Sequence, residues 1–513
     1  MYKFHPPQWH LRMLGNLNVT KKEIHQERAE TLSRKVVVSG VWVLALRILN
    51  RGLGFVRTII LARLLAPEDF GLFGIAMLAI ATLETFSQTG FQAALIQKKE
   101  NVEPYLDTAW TVSIIRGAAL FLILFLSAPL ISKFFNSPQA TLVIRIIGIS
   151  VLLSGLRNIG VVFFQKELEF NKQFSYGFST TVVDLIVSVS LAFVLRNVWA
   201  LIWGGIAANL TGLFMSYVLH EYRPKFTISK TKTKDLFEFG KWIFGSSSLV
   251  FLVTQGDDIF VGKMLGVTAL GFYQIAYTLS NLPATEFTHV LSQVAYPAYS
   301  KIQDNAPKLR EVYLKVFQLT LFISIPVAAA IFLLAPEFIT IFLGEKWLPT
   351  VPLIRVLVCA GLLRSIAATT GPIFHALGKP KVETRWQIVR FFVLFSLVYS
   401  FTTKWGILGT SIAALLSIFV ANLGFIFSVI KILKCTTLSL IKLIVIPSAN
   451  AIIVLSAAFP LKKAMHASQI SGFILVAAST IFLYILVNYI FDRLFKYNMN
   501  HLIKTSIESL RSS

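Results

Sequence analysis

Long apolar stretches alternate with short polar segments along the chain from residue 36 to residue 492. A stretch of about 20 apolar residues is long enough to cross roughly 30 Å of hydrocarbon as a helix. Because lipid offers the backbone no hydrogen-bond partners, segments of this length must be helical. The pattern predicts an all-α polytopic membrane protein with about 14 transmembrane helices; the fifth and eleventh are the shortest, so 12 or 13 is the alternative count. The predicted spans are 36–62, 70–96, 108–131, 140–164, 178–195, 199–219, 237–264, 270–297, 314–334, 350–375, 386–403, 406–430, 440–460 and 470–492.

Composition and charge agree with a membrane location. Of the 513 residues, 55% are hydrophobic, and the mean hydropathy is +0.69. The formal net charge of +23 would fit a nucleic-acid ligand, but most Lys and Arg lie in the N-terminal tail, alternate loops and the C-terminal tail. This positive-inside pattern places both termini in the cytoplasm and gives no reason to expect nucleic acid. The most basic loop, residues 220–234, is explained by topology, with contact to anionic membrane lipids as the alternative.

The cysteines and the N-terminal segment point to no separate chemistry. Cys359 lies in a predicted span and Cys435 in a predicted cytoplasmic loop, so we expect neither a disulfide framework nor a zinc site. The first 35 residues are polar and mixed in charge, and we expect a cytoplasmic tail rather than a cleaved leader. Motifs for nucleotide hydrolysis, an activated serine or a zinc protease do not occur, and no metal or other cofactor is predicted.

The sequence repeats itself weakly at a spacing of 200 residues. The segment LARLLAPEDFGLFGIA (61–76) aligns with VGKMLGVTALGFYQIA (261–276), and eight of the 37 positions from residue 40 to 76 are identical to their partners. Each copy opens a block of six spans, and an even number means that both blocks enter the membrane from the same side. The repeat therefore predicts two pseudosymmetric six-helix lobes around a central cleft, which rock to expose the cleft alternately. The predicted segments are the cytoplasmic tail 1–35, an N-lobe 36–219, a basic linker 220–236, a C-lobe 237–430, two additional helices in 440–492 and a cytoplasmic tail 493–513.

Arginines inside the predicted spans are the strongest functional signal. A charged side chain at the bilayer centre is costly, so these arginines must face the cleft, a partner or the interface. Guanidinium groups grip phosphate or carboxylate oxygens bidentately, which predicts a cationic cleft for an anionic ligand. Arg–carboxylate ion pairs that hold the lobes together are the alternative. Eight of these arginines are singled out: Arg47, Arg51, Arg57, Arg116, Arg145, Arg157, Arg355 and Arg364; of these, Arg57, Arg145 and Arg355 lie near span ends, and the other five are the candidate ligand contacts.

Acidic and neutral polar residues in the spans supply further candidates. Buried carboxylates could bind H⁺ or Na⁺ for coupled transport, or could simply pair with the arginines. The acids that we consider are Glu84, Asp184, Asp257, Asp258 and Glu286; Asp184 is considered only as an arginine partner. Neutral polar side chains could contact a sugar, with interhelical hydrogen bonding as the alternative for each. The candidate sugar contacts are Asn50, Gln255, Asn281, Gln293 and His375, and His289 and Asn422 are further polar residues of this kind.

Three segments resemble a known family. ARLLAPEDFGLFGIA (62–76), FVGKMLGVTALGFYQIAY (260–277) and TGPIFHALGKPK (370–381) are similar to the polysaccharide transporter family, in its lipopolysaccharide and colanic-acid export branch. The same superfamily contains the multidrug and toxin extrusion pumps. The resemblance covers roughly residues 36–435. It implies a bacterial or archaeal cytoplasmic-membrane protein that moves polyprenyl-diphosphate-linked oligosaccharide outward for cell-surface polysaccharide biosynthesis, beside polymerase and export machinery. Arg47, Arg51, Arg116, Arg157 and Arg364 would then receive the diphosphate head group.

Two other functions fit parts of the sequence. A cation-coupled exporter of soluble small molecules would have acids, rather than deep arginines, in its cleft. A membrane oligosaccharide polymerase or ligase would be expected to carry a large extracytoplasmic loop, whereas the longest predicted outward loop here is residues 335–349. Both features favour the flippase.

Overall fold

A computed structural model describes residues 49–87, 102–167, 169–465, 468–495 and 499, and no β-strand occurs in these ranges. Nine helices of the described chain are long and apolar enough to cross a membrane. The prediction of an all-α polytopic membrane protein is therefore confirmed, whereas the count of fourteen spans is not. The helices are α1 (described over 49–64), α2 (Pro67–Phe86), α3 (Glu103–Phe134), α4 (Ala140–Ile147), α5 (Ile149–Gly155), α6 (Val162–Lys166), α7 (Phe170–Leu195), α8 (Trp199–Val218), α9 (Lys230–Leu265), α10 (Val267–Ser280), α11 (His289–Lys301), α12 (Ala306–Phe338), α13 (Thr350–Ala376), α14 (Pro380–Leu433), α15 (Thr437–Ala464) and α16 (Ile470–Phe495).

The fourth predicted span is broken, contrary to the single helix that its hydropathy indicates. α4 and α5 meet at Gly148, and a 3-10 turn with the short α6 follows. Gly155 at the end of α5 packs against Gly117 of α3, where two residues without Cβ atoms let the backbones approach closely. The Asn158 side chain then accepts a hydrogen bond of 2.8 Å from the Gly160 N–H and starts the 3-10 turn.

One other predicted span is interrupted, and two predicted spans are joined in one helix that bends between them. The eighth, 270–297, divides into α10, a π-helix over Pro283–Thr288, and α11, because Pro283 has no N–H to donate to the preceding turn. The long α14 holds the eleventh and twelfth predicted spans as two limbs joined at Gly406, whose φ of +59° is accessible chiefly to glycine.

The two repeats meet at a crossing of α2 with α10, the helices that begin at Pro67 and Val267. Gly71 lies directly under the Val267 carbonyl, and Gly271 lies directly under the Pro67 carbonyl. Each of these contacts is the other shifted by 200 residues. Such reciprocity is the signature of a two-fold axis, as in an isologous dimer interface. The repeat in the sequence therefore corresponds to a pseudo-two-fold contact in the fold.

The linker between the repeats lies against the N-terminal half up to Ser229, and α9 begins at Lys230, inside the predicted linker. The Asp107 carboxylate on α3 accepts hydrogen bonds from the Tyr222 hydroxyl (2.6 Å) and the Lys225 N–H (2.7 Å). His220 stacks on Phe163, with 5.5 Å between the ring centroids. Partial burial of the His220 imidazole lowers its pKa. The segment is thus fixed to the half of the protein that precedes it.

The last two helices are joined to the preceding bundle by a buried ion pair. Lys462 of α15 lies 2.8 Å from Glu337 of α12, with both side chains less than one-fifth exposed, and its Nζ also donates to the Leu333 carbonyl at 3.2 Å. Apolar residues of α12, α15 and α16 pack beside this pair. The additional helices are therefore attached to α12 by both charge and apolar contact.

The α2–α10 crossing gives a stability prediction. In Gly71→Ala and in Gly271→Ala the new methyl group would overlap a carbonyl oxygen of the opposite helix, and overpacking costs about 1 to 3 kcal/mol. Both variants should lower the apparent melting temperature of the purified protein. Gly54→Ala is the matched control, because no atom of the described residues lies within 4 Å of its added methyl group. Unchanged melting of Gly71→Ala and Gly271→Ala would contradict the close crossing.

Candidate functional site

Charged and aromatic side chains from α9, α10, α13 and α14 converge in the second repeat. Arg364 of α13 donates from Nη1 to the Asn281 Oδ1 atom at 2.9 Å. Its guanidinium also lies over the Tyr277 ring, 4.4 Å from the centroid. Asn281 and Tyr277 both belong to the end of α10 and are one helical turn apart, which is why one guanidinium reaches both. Arg364, Asn281 and Tyr277 form one edge of the cluster.

Two adjacent buried aspartates form the opposite edge of the cluster. Asp257 and Asp258 of α9 are 4% and 6% exposed. The Tyr273 hydroxyl donates to the Asp257 Oδ2 atom at 2.7 Å, and Gln274 is a hydrogen-bond partner of Asp258. The Asp258 Oδ1 atom is buried without a hydrogen-bond partner in the described chain. Because burying a charge is costly unless it is paired, these carboxylates need the cations that lie nearby.

Arg390 of α14 completes the cluster and was not among the predicted site residues. It lies within electrostatic reach of Arg364 and Asp257, and its Nη2 atom donates to the Val253 carbonyl at 3.3 Å. The sequence carried the signal, since residue 390 falls inside the eleventh predicted span, 386–403. A charge in that short apolar segment was as informative as the deep arginines of other spans.

Both guanidinium groups keep donors that no described protein group uses. The Nε atoms of Arg364 and Arg390 are buried without a hydrogen-bond partner in the part of the chain that the structure describes. A guanidinium offers five N–H donors in a fixed plane, which match the paired oxygens of phosphate or carboxylate. Two such groups from neighbouring helices can grip an oxyanion together.

Arg57 shows the structural alternative, an ion pair inside the first repeat. Its Nη2 atom lies 3.0 Å from Asp184 Oδ1 of α7, and its Nε donates to the Ser188 hydroxyl at 2.9 Å. Both side chains are mostly buried, at 16% and 26% exposed. For Arg57 the structure thus shows the alternative, an Arg–carboxylate ion pair.

Arg116 and Arg157 also have partners within the first repeat. Arg116 caps the end of α2, donating from Nε to the Ser87 carbonyl at 2.9 Å and from Nη2 to the Glu84 carbonyl at 3.1 Å. Because the last carbonyls of a helix have no intrahelical partner, a cation is favourable there. Arg157 donates from Nη2 to the Asn209 Oδ1 atom of α8 at 2.7 Å. Both arginines therefore hold helices of the first repeat together, and a ligand role for either stays a prediction.

The other candidates occupy separate places. His375 is half-exposed near the end of α13 and pairs with Glu383 at 2.8 Å, eleven residues and about 16 Å along the helix from Arg364. Asn422 is buried and donates to the Ile418 carbonyl of its own helix at 3.0 Å. Arg51 is exposed and Asn50 half-buried on α1, and Gln255 is half-buried on α9. Arg145 donates to the Phe125 carbonyl, and Arg355 lies over the Phe332 ring. Arg47 and the side chains of Glu286, His289 and Gln293 lie outside the described residues.

Metal ligation has no support within the described chain, where no group of three His, Cys, Asp or Glu side chains could hold an ion. Of the predicted ligand contacts, Arg364 and Asn281 come together with Asp257 and Asp258, and Arg390 joins them. Two guanidinium groups that could bind an oxyanion thus lie beside two carboxylates, and an anion site here stays a prediction.

The Arg57–Asp184 pair gives a prediction that separates ion pairing from ligand contact. Arg57→Met leaves the Asp184 carboxylate without its cation, and we expect a loss of about 2 kcal/mol, less than the roughly 3 to 5 kcal/mol of fully buried pairs. The double variant Arg57→Met/Asp184→Leu should recover most of that loss in apparent melting temperature, because neither charge is then buried. A double variant no more stable than Arg57→Met would contradict the pairing.

Comparison with solved structures supports the fold. The chain aligns with a structure titled lipid II flippase MurJ, inward closed conformation, with a TM-score of 0.72 and 18% identity, covering 90% of this chain and 99% of that one. It also aligns with an inward-facing multidrug resistance MATE family transporter of the MOP superfamily, with a TM-score of 0.60 and 18% identity over 77% of this chain and 99% of that one. At these identities, the likeness concerns architecture.

Comparison with curated sequences points to polysaccharide biosynthesis. The chain is 25% identical over 398 residues to the lipopolysaccharide biosynthesis protein WzxC of Escherichia coli K12, covering 75% of this chain and 79% of the relative. It is 28% identical over 307 residues to the teichuronic acid biosynthesis protein TuaB of Bacillus subtilis 168, covering 58% and 62%. A family model described as polysaccharide biosynthesis protein matches residues 60–352, more than half of the chain. The cluster of Arg364, Arg390, Asp257 and Asp258 therefore lies in a multi-pass membrane protein that belongs to the polysaccharide biosynthesis protein family.

Proposed function

We propose that this protein is a flippase that moves a polyprenyl-diphosphate-linked oligosaccharide from the cytoplasmic to the outer leaflet by alternating access. The observation that carries the proposal is the pair Arg364 and Arg390, two half-buried arginines on neighbouring helices whose buried Nε atoms have no hydrogen-bond partner in the described chain. A diphosphate supplies the oxyanion groups that such a pair would bind. Tyr277 and Asn281 beside Arg364 add an aromatic face and an amide, which suit the first sugar.

The energetics favour outward movement of such a cargo. When a head group with about two negative charges crosses outward, it is driven by the inside-negative potential and gains roughly 4 to 5 kcal/mol at 100 mV, about 2.3 kcal/mol per charge. The polyprenyl tail stays in lipid while only the head group crosses. Arginines in the path remove most of the cost of taking the diphosphate out of water.

The orientation follows from the distribution of basic residues. We place the linker that carries Arg223 and Lys225 and both chain termini on the cytoplasmic side. The turn after α12, residues 344–350, and the start of α2 then face outward. On this assignment the protein lies in the cytoplasmic membrane of a bacterium or archaeon.

The relatives support this cargo class through their names. WzxC and TuaB are named for the biosynthesis of lipopolysaccharide and teichuronic acid, and the succinoglycan relative ExoT of Rhizobium meliloti is named a transport protein. MurJ, which shares the fold, is named a lipid II flippase. We further propose contact with polysaccharide polymerase or export machinery and with anionic lipids at the basic linker. Asp257 and Asp258 are our candidates for an H⁺ or Na⁺ coupling site.

A liposome assay tests the proposal. Purified protein is reconstituted with a fluorescent polyprenyl-diphosphate sugar, and an impermeant quencher reports head-group movement. Arg364→Ala and Arg390→Ala should each slow movement at least about tenfold, since a charge-assisted hydrogen bond contributes about 1.5 to 3 kcal/mol. Arg145→Ala is the matched control, because Arg145 donates to the Phe125 carbonyl outside the cluster. This variant should move the head group at the rate of the parent protein.

Each other outcome has a defined meaning. If Arg364→Ala and Arg390→Ala both moved the head group at the rate of the parent protein, neither arginine would contact the cargo. Ethidium efflux driven by a Na⁺ or H⁺ gradient, without movement of any lipid-linked sugar, would favour the exporter of soluble compounds. Chain extension of the glycan by the purified protein would favour a polymerase.

A further inference from the structure

One turn of the second repeat holds the end of α1 of the first repeat. In this turn the Trp347 indole N–H donates to the Ala62 carbonyl at 2.8 Å. The Lys346 ammonium donates to the Arg63 carbonyl at 3.0 Å and to the Leu65 carbonyl at 2.6 Å. These partners are more than 280 residues apart in sequence and belong to different repeats.

The three carbonyls are those that α1 itself leaves without partners. The last N–H of the helix, that of Leu65, bonds to the Leu61 carbonyl at 2.8 Å, so that the carbonyls of residues 62–65 have no further intrahelical donor. The other repeat supplies donors to three of those four carbonyls. A cation is also the favourable charge at a helix C-terminus.

Aromatic packing anchors the same turn at the junction of the two repeats. Trp347 is completely buried, and its ring lies edge-to-face against Phe70 of α2 at 5.3 Å and Phe272 of α10 at 5.8 Å. One of these phenylalanines comes from each repeat. The indole therefore fills the space directly above the α2–α10 crossing.

The turn is rigidly attached to its own repeat. The Gly344 N–H donates to the Ile339 carbonyl across a short π-helix, the Trp347 N–H to the Gly344 carbonyl, and the Thr350 hydroxyl to the Trp347 carbonyl. Gly344 has a φ of +99°, a conformation that a side chain would strain. When the second repeat rotates, the turn must move with it and leave α1.

The contacts suit repeated release. Arg63 and Lys346 are exposed, and a cavity of about 530 Å³ borders them, so water can replace the hydrogen bonds of the freed carbonyls. Partial burial and the neighbouring Arg63 lower the pKa of Lys346, consistent with an ammonium that is held close to a second cation in this state. The hydrogen bonds of Lys346 thus orient the turn against α1, while the Trp347 indole supplies the buried apolar contact.

We infer that Lys346 and Trp347 form a latch that closes the extracytoplasmic exit and is released once in each transport cycle. The inference rests on the proposed function for its orientation and for the cycle. It assigns to residues 344–350 a gating role separate from cargo binding, because the latch contacts helix carbonyls and aromatic rings rather than the arginine cluster.

Distance measurement between spin labels tests the latch without any cargo. Cys359 and Cys435 are replaced by serine, and labels are attached at Gln139→Cys and Lys404→Cys, exposed positions in the two repeats at this end of the bundle. In the full-length protein in liposomes, Trp347→Ala and Lys346→Ala should raise the ratio of long to short distances about tenfold, which corresponds to about 1.4 kcal/mol. Glu345→Ala, in the same exposed turn, is the matched control and should leave the distribution unchanged.

An unchanged distribution in both latch variants, or an equal change in Glu345→Ala, overturns the inference. A second measurement applies if these variants fail to fold. Arg63→Cys and Lys346→Cys joined by a short reducible cross-linker should abolish head-group movement, and reduction should restore it; undiminished movement with the cross-link in place also overturns the latch. Absence of cargo movement in the parent protein, together with the expected distance changes, would count against the proposed cargo and leave the latch standing.

Discussion

The structure depends on the rule that a charge or a backbone carbonyl inside a membrane protein must find a partner within the protein. Arg57 finds Asp184, and Arg116 finds the carbonyls that end α2. Each guanidinium that is satisfied in this way ties two helices together. In the first repeat, Arg57, Arg116 and Arg157 hold helices together through such contacts. The second repeat brings two arginines, Arg364 and Arg390, close to one another, each with a buried Nε atom that has no hydrogen-bond partner in the described chain. This pairing makes the second repeat the candidate binding lobe.

The candidate cluster around Arg364 and the interface between the repeats share one residue, Gln274. Gln274 of α10 bonds to Asp258 in the cluster, and its side chain also lies against Gly74 of α2. A change in the charge of Asp258, or in its contacts with a ligand, therefore acts on a side chain that packs across the crossing. Coupling between two sites needs such an element that both can bias. The cluster need not communicate over a long path to affect how the repeats meet.

The sequence was a good guide to whatever depends on hydropathy or on spacing. Most helices coincide with apolar stretches of the sequence. The offset of 200 residues pairs Gly71 with Gly271, and these two glycines lie at the crossing of α2 with α10. The sequence was a poor guide to breaks, because the fourth span is long and apolar enough to predict a single helix although Gly148 and Asn158 divide it. The functional sorting of the arginines could not be predicted either. Arg116 and Arg364 are both candidate ligand contacts by sequence, and only the positions of the Glu84 carbonyl and of Asn281 in space distinguish a helix cap from a member of the cluster.

The contact of Gly74 with Gln274 joins two positions that are equivalent by the repeat yet carry different residues. In a homodimer of six-helix chains, both copies would carry the same residue at the axis. Two glutamines would overfill the space, because Gln274 already lies against Gly74, and two glycines would leave that space empty. With both halves in one chain, one half can carry a glycine while the other carries a long side chain that reaches Asp258. A single chain therefore permits the two halves to differ at the point where they touch.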